Sequence, residues 1–305
     1  MGSLNRAFVA KDDEFYTRYE DVEAELKHYN FRGKSVLCPC DSEKSAFVQY
    51  FKNNFNSLGL KSLLYTYLGA DIIKVYDGIS MVDMTCSYAD CTDGTLLNCA
   101  DIVVTNPPFS IYGDIYRKLK VPFILLTPLH KITIKDVFKD FMNNKCRFGY
   151  TNPTRYIRPD GTIKQLGNCY WLTSLPVTFV KSYKYADNIS LQKYYNVDCV
   201  FIDKCSNIPD SYYEPMAVPL TFLYGFPFSD FEVLGITVGS SWNDINKIST
   251  NPVETGQALK NDKWVNTRII DAILPRIDGK YLVEGKIRCC HPFKRLIIKR
   301  KKITT

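Results

Sequence analysis

Asn106-Pro107-Pro108-Phe109 follows directly on Asp101-Ile102-Val103-Val104-Thr105, a run with the apolar composition of a buried strand. In open α/β sheets, ligands bind outside the carboxyl ends of the strands, so this tetrapeptide stands where a site is expected. Its composition suits work on a planar amine. The lone pair of an exocyclic nucleobase amine is delocalised into the ring, which makes the nitrogen a poor nucleophile. Two acceptors at its N–H groups, the Asn106 side-chain oxygen and the Pro107 carbonyl, would localise that pair. Pro107 and Pro108 stiffen the loop and hold both acceptors in advance, and Phe109 offers a ring face for stacking.

The elements that must position this loop can be read from periodicity. Tyr19, Val22, Leu26 and Tyr29 recur at helical spacing, and Gly33 closes that unit. Ser35–Cys38 reads as a short buried strand. Asp41 or Ser42 is expected to cap the next helix, which carries Phe47, Phe51 and Phe55 and stops at Gly59. Ser62–Tyr67 reads as a strand, and Ile72–Met84 alternates around the hairpin turn Asp77-Gly78. A helix is predicted over Ser110–Leu119, a strand over Phe123–Thr127, and a further helix through Ile134, Val137, Phe138 and Phe141. Strands alternating with helices imply a mainly parallel, doubly wound sheet. Beyond Gly149, a hairpin turn is expected at Arg158-Pro159-Asp160-Gly161, and strands over Tyr170–Leu175 and Val177–Val180. From about residue 181 the chain is loop-rich, with helical periodicity returning only near 265–274. The domains therefore divide as 1–180 and 181–305.

Composition bounds the function classes. The chain has 305 residues, of which 46% are hydrophobic and 23% charged, as in a globular protein rather than a disordered or fibrous one. No apolar stretch is long enough to cross a membrane as a helix. Met1-Gly2-Ser3-Leu4-Asn5-Arg6 lacks the apolar core of a signal peptide, so a cytoplasmic protein is expected. The 11 cysteines are then expected as free thiols. Cys38-Pro39-Cys40 and Cys289-Cys290 lack a matching second pair, and His28, His130 and His291 are scattered, so no metal site is expected. The net charge of +7 is concentrated: Lys286, Arg288, Lys294, Arg295, Lys299, Arg300, Lys301 and Lys302 lie in one segment without an acidic residue. That pattern points to a phosphate-binding surface. Within it, Leu296 and Ile298 should anchor a strand whose alternate basic residues face outward.

The Asn-Pro-Pro-Phe loop resembles that of methyltransferases that alkylate planar amines with S-adenosylmethionine. Asp13-Glu14-Phe15-Tyr16-Thr17, Cys40-Asp41, the decapeptide from Asp101 to Ser110, Asn168-Cys169-Tyr170-Trp171-Leu172-Thr173, Pro219-Leu220-Thr221-Phe222-Leu223 and Pro292-Phe293-Lys294-Arg295-Leu296-Ile297-Ile298-Lys299 come in the order found in the EcoRI-type adenine-specific DNA methyltransferases. The resemblance spans nearly the whole chain. It implies a Rossmann-like methyltransferase sheet followed by a C-terminal target-recognition region.

By match to the family motifs, Phe15, Tyr16 and Thr17 lie near the methionine part of S-adenosylmethionine, and Cys38, Pro39, Cys40 and Asp41 form the first strand-to-helix turn of the cofactor site. That turn usually contains glycines, and here it has none. Asp71 is the nearest acidic residue for the ribose, and Tyr88 and Asp90 are candidates for the cofactor adenine. Asn106, Pro107, Pro108 and Phe109 are the catalytic candidates, with Asn106 also beside the cofactor. Lys294, Arg295, Lys299, Arg300, Lys301 and Lys302 are the DNA-contact candidates.

The activity so implied is site-specific N6-methylation of a flipped-out adenine in double-stranded DNA. S-adenosylhomocysteine would be the product, with no metal and no membrane involved. A monomer is expected, and a cognate restriction endonuclease is left open. Three alternatives stand beside it. Cytosine C5 chemistry would use a Pro-Cys thiolate such as Pro39-Cys40, but in such enzymes that dipeptide follows the catalytic strand, where Asn106 stands here. Another planar amine, as in cytosine N4, RNA adenine or a protein glutamine amide, would suit the same loop. A catalytically decayed DNA-binding homologue would account for the glycine-free turn.

Overall fold

A computed structural model of the chain describes residues 16–67, 70, 72–85, 94–158, 160–165, 169–178, 184–186, 190–194, 198–227, 229–236, 256–260, 263–267, 273–274, 281–283, 286–290 and 295–302. Phe15, Asp71, Tyr88, Asp90, Asn168 and Lys294 lie outside the described residues. The chain groups into two compact units, residues 1–179 and 180–305.

In the first unit the elements follow in the order β1 (Tyr16–Thr17), α1 (Tyr19–Leu26), β2 (Ser35–Cys38), α2 (Ala46–Asn53), α3 (Phe55–Leu58), β3 (Ser62–Tyr65), β4 (Ile72–Tyr76), β5 (Met81–Thr85), β6 (Ile102–Thr105), α4 (Tyr112–Lys118), β7 (Phe123–Pro128), α5 (Lys135–Met142), β8 (Arg147–Phe148), β9 (Arg155–Ile157), β10 (Ile163–Gln165) and β11 (Cys169–Thr173). Eight of these strands form one mixed sheet, ordered β5-β4-β3-β2-β6-β7-β11-β8. The pairs β3–β2, β2–β6 and β6–β7 are parallel, and the outer pairs are antiparallel. The parallel centre explains why β6 and β7 are buried at every position: both of their faces are covered, as continuous apolar runs require.

Local chemistry sets most boundaries. Asp77 Oδ1 accepts from the N–H groups of Ile79 and Ser80, and Gly78 takes a positive φ of 97°, which closes the β4–β5 hairpin. Gly59 ends α3 in the left-handed conformation. The Phe47–Phe51–Phe55 stripe is split between α2 and α3. Helix α2 begins later than its sequence suggests. Its cap is Ser45, whose hydroxyl accepts from the Val48 N–H, because Asp41 is engaged elsewhere. Val177 and Thr178 are irregular, not a strand.

In the second unit, β12 (Gln192–Lys193), β13 (Val200–Phe201), β14 (Met216–Pro219), β15 (Phe231–Ile236) and β21 (Arg295–Arg300) form a sheet ordered β12-β13-β14-β21-β15. A second sheet, ordered β17-β16-β19-β20-β18, is made by β16 (Gly256–Lys260), β17 (Lys263–Thr267), β18 (Ile273–Leu274), β19 (Tyr281–Val283) and β20 (Lys286–Cys290). Where helical periodicity is expected near 265–274, the described residues are therefore strands. Among the described residues, no helix is long and apolar enough to cross a membrane.

A buried carboxylate locks α1 onto the sheet. Glu25 accepts from the Tyr29 hydroxyl (2.7 Å), the N–H groups of Tyr150 (3.0 Å) and Thr151 (2.7 Å), and the Thr151 hydroxyl (2.7 Å). Gly149 lets this carboxylate approach. A Cβ at that position would overlap Glu25 Oε1 and lie 2.8 Å from Trp171 Cβ. Gly149→Ala is expected to destabilise the first unit by about 1–3 kcal/mol, the usual cost of overpacking. Thermal melting monitored by circular dichroism checks this, and an unchanged midpoint would contradict it.

Candidate active site

The catalytic candidates sit at the carboxyl ends of the parallel strands. β6 ends at Thr105, and Asn106 leads into Pro107 and Pro108. Pro108 then opens a short 3₁₀ turn over Phe109–Ile111, closed by the Ile111 N–H on the Pro108 carbonyl at 3.2 Å, and α4 follows. Pro107 is buried, while Asn106, Pro108 and Phe109 are half-buried. Phe109 packs one side against the main core, which also contains Cys38, Tyr156 and Trp171, and keeps part of its ring accessible.

The first strand-to-helix turn lies beside this loop. Cys38 ends β2 as a buried thiol, and burial, then the neighbouring Asp41 and Cys40, push its pKa up, so it stays protonated. Cys40 packs with Leu97, Ile111 and Ile115, against the turn that follows Phe109. The backbone N–H of Asp41 donates to the Thr66 carbonyl just past β3, at 2.9 Å. Its carboxylate accepts from the Thr105 hydroxyl at 2.6 Å and is also hydrogen-bonded by the Ser45 side chain and the Asn106 backbone N–H. One side chain thus joins the turn after β2, the end of β6, the start of α2 and the loop that begins at Asn106.

The absence of glycine from this turn has a conformational explanation. Among the described residues, Asn144 is the non-glycine with a positive φ. The backbone from Cys38 to Ser45 thus stays in regions open to any L-residue, and glycine's particular freedom is not needed there.

Of the other cofactor candidates, Thr17 pairs with Tyr156 across β1–β9 and is only 6% exposed, while Tyr16 is exposed. The Thr17 hydroxyl is buried and has no hydrogen-bond partner among the described residues. A buried polar atom of this kind fits a polar group of a bound ligand, so the residues present are compatible with S-adenosylmethionine. Among the described residues, no group of three side chains could hold a metal ion.

The C-terminal basic segment departs from expectation. β21 is a central strand, paired with β14 on one side and β15 on the other, and Leu296, Ile297 and Ile298, which point to both faces of the sheet, are all buried. Arg295 does not face outward. Its guanidinium donates to the carbonyls of Ile202 (2.7 Å) and Asp203 (3.2 Å) and lies 4.7 Å from the Phe201 ring centre. Arg300 lies over the rings of Tyr185 and Phe231, 4.6 and 4.5 Å from their centres, and donates to the Pro209 carbonyl at 3.1 Å. Both cations are committed inside the unit. Lys299 stands 3.9 Å from Glu214, and Lys301 and Lys302 are exposed beyond the strand.

Sequence reasoning placed Asp41 in this site but missed Thr105 and Ser45 as its partners. The available signal was a hydroxyl closing an otherwise apolar strand, at the point where a buried carboxylate would need a donor.

Burial drives the Asp41 carboxyl up from its ordinary 3.8 to about 7, against the pull of hydrogen bonds from Thr105, Ser45 and the Asn106 N–H. The folded state therefore binds a proton more tightly than the unfolded one, and stability falls as pH rises through that window. Asp41→Asn removes this titration. The stability difference between variant and wild type should shift in the variant's favour by roughly 3 kcal/mol between pH 5 and pH 8. Denaturant titrations at both pH values check this, and a pH-independent difference would refute it.

Comparison with known proteins identifies the family. The family described as adenine-specific methyltransferase EcoRI matches residues 3–94 and 85–301. The type II methyltransferase M.EcoRI of Escherichia coli is 33% identical over 300 residues, covering 80% of this chain and 91% of that protein. The type II methyltransferase M.MpnI of Mycoplasma pneumoniae is 30% identical over 305 residues, covering 88% and 92%. The type II methyltransferase M.MgeORF184P of Mycoplasma genitalium is 27% identical over 341 aligned positions, covering 99% and 100%. With an Asn-Pro-Pro-Phe loop at the end of a parallel strand and a match over nearly its whole length, the chain belongs to the EcoRI-type adenine-specific methyltransferase family.

Proposed function

We propose that this protein is a site-specific DNA methyltransferase that methylates the N6 amine of adenine, with residues 1–180 carrying out the transfer and 181–305 reading the target. The observation that carries this reading is the placement of Asn106-Pro107-Pro108-Phe109 at the end of β6, with Asn106 tied from behind through its N–H to Asp41. We read the four parallel strands as the centre of a Rossmann-like sheet with the cofactor turn on β2.

When bound, S-adenosylmethionine supplies an electrophilic methyl group and leaves as S-adenosylhomocysteine. The chain's own residues prepare the acceptor. An adenine in a duplex has its amine paired and stacked, so it must leave the stack to be reached. Phe109 stacks on the displaced base and offsets part of that cost. The Asn106 side-chain oxygen and the Pro107 carbonyl accept from the two N–H groups of the amine. They draw its lone pair onto nitrogen and stabilise the positive charge that develops there. Thr17 and the turn from Cys38 to Asp41 bind the cofactor. Transfer is direct and in line, with no covalent enzyme intermediate. It would work in the cytoplasm.

Asn106→Ala should lower kcat by about 10²–10³-fold, the usual effect of losing a donor or acceptor matched to developing charge. S-adenosylmethionine binding, followed by isothermal titration, should change little. Near wild-type turnover would remove Asn106 from this role.

Phe109→Ala should weaken capture of the displaced base by about 1–3 kcal/mol. A duplex with 2-aminopurine at the target should brighten with the wild-type protein and brighten less with the variant. Equal brightening would make Phe109 a core residue only.

A further inference from the structure

Two buried oxygens near the start of α1, the Thr17 hydroxyl and Asp21 Oδ2, have no hydrogen-bond partner among the described residues. Polar atoms taken out of water are ordinarily paired, so each calls for an occupant. Thr17 lies in β1, and Asp21 stands in the first turn of α1, three residues past the N-cap Arg18. An acidic side chain at that position can reach back to cap the helix, yet Asp21 Oδ2 makes no such bond.

Tyr156 brings the two oxygens together. Its backbone pairs with Thr17 across β1–β9, and residues directly opposite in an antiparallel pair share a face. Its phenol lies close enough to Asp21 for the carboxylate's charge to oppose ionisation of the ring. The same phenol is hydrogen-bonded with the Cys169 thiol. Because β11 runs antiparallel to β7, Cys169 opposes Pro128, the last residue of β7. The two oxygens therefore lie at the carboxyl end of the parallel strands, the end at which β6 runs out into Asn106. Tyr156 also belongs to the core that contains Cys38 and against which Phe109 packs.

The charges around Asp21 leave Oδ2 unmatched. Arg18 is paired with Glu20 at 2.9 Å, and Arg155 is exposed on β9. Burial raises the Asp21 carboxyl above its ordinary range. Arg18 pulls it back, Glu20 pushes it up, and Arg155 pulls it down. A cation with a hydrogen to donate would restore the charge and supply the missing bond together.

We propose that Asp21 binds the ammonium group at the methionyl end of S-adenosylmethionine. The proposal rests on the reading of the chain as an S-adenosylmethionine-dependent methyltransferase. The chemistry of the cofactor selects the group. A carboxylate only accepts hydrogen bonds. The sulfonium is charged but has no hydrogen on sulfur, and the adenine amine donates but is neutral. The ammonium is both charged and a donor. The Thr17 hydroxyl, which donates and accepts, serves the same polar end of the molecule.

The test is isothermal titration of the full-length protein with three ligands. They are S-adenosylhomocysteine, its analogue without the α-amine, and 5′-methylthioadenosine, which lacks the whole amino-acid end. The wild-type protein should bind S-adenosylhomocysteine about ten- to a hundredfold more tightly than the amine-free analogue, the range of a charge-assisted hydrogen bond. In Asp21→Asn and in Asp21→Ser that gap should largely close, while affinity for 5′-methylthioadenosine stays at the wild-type value. An unchanged gap in both variants overturns the assignment. So does a loss shared by all three ligands, which would mark Asp21 as a support of the fold. Equal wild-type affinity for S-adenosylhomocysteine and its amine-free analogue removes Asp21 from the role and leaves the methyltransferase reading standing. If the wild-type protein binds neither these ligands nor S-adenosylmethionine, that reading fails and the assignment falls with it.

Discussion

The loop that follows β6 in the first unit depends on one buried carboxylate. Asp41 is 5% exposed, and moving a carboxylate out of water costs several kcal/mol. Only good hydrogen bonds offset that cost, and the donors are Thr105 at the end of β6, Ser45 at the start of α2, and the N–H of Asn106. Because these partners lie on separate segments, keeping the carboxylate satisfied fixes the segments relative to one another. β2 and β6 are already adjacent and parallel, so the added constraint falls on the loops beyond their ends. Asn106 is held at its N–H, and Pro107 and Pro108 then limit the backbone that follows. Acceptors held in this way before a substrate arrives are what the proposed transfer needs, because groups already in place cost no reorganisation during reaction.

A second constraint shapes the other unit. β21 comes at the end of the chain yet lies between β14 and β15. This strand carries an arginine at each end, and a guanidinium drawn in from water needs polar or aromatic partners. Arg295 meets that demand with two carbonyls and an aromatic face, and Arg300 with a carbonyl and two rings. Arginine suits such places because its planar guanidinium stacks and hydrogen-bonds at the same time. Charge along this sequence is therefore a poor guide to charge on the surface.

Legibility tracks sequence separation. The β4–β5 hairpin, the Gly59 stop and the strand-to-loop junction at Asn106 could be read because their causes lie within a few residues. Asp77-Gly78 makes its own turn, and an apolar run ending at Asn-Pro-Pro cannot continue as strand. The helix cap was misplaced from Asp41 or Ser42 to Ser45 for a non-local reason, since Thr105 claims the Asp41 carboxylate from 64 positions away. The outward-facing C-terminal strand failed for the same reason, because both of its partners are distant in sequence. Around 265–274, apolar spacing that suits a helix also suits two short strands, and pairing with β16 and β20 decides the matter.

The absence of glycine from the turn after β2 follows from the same carboxylate. A glycine-rich turn lets backbone approach a ligand closely and adopts conformations closed to other residues. Between Cys38 and Ser45 the chain reaches α2 without a positive φ. The Asp41 N–H is taken by Thr66 beyond β3 and its side chain by Thr105 and Asn106, so the turn is shaped by ties to neighbouring strands, not by backbone freedom. A glycine at position 41 could supply the main-chain bond but none of the side-chain ones, and would release the Asn106 N–H. On the proposed function, the turn that borders the cofactor would also orient the catalytic loop, and a residue with a carboxylate is what allows one segment to do both.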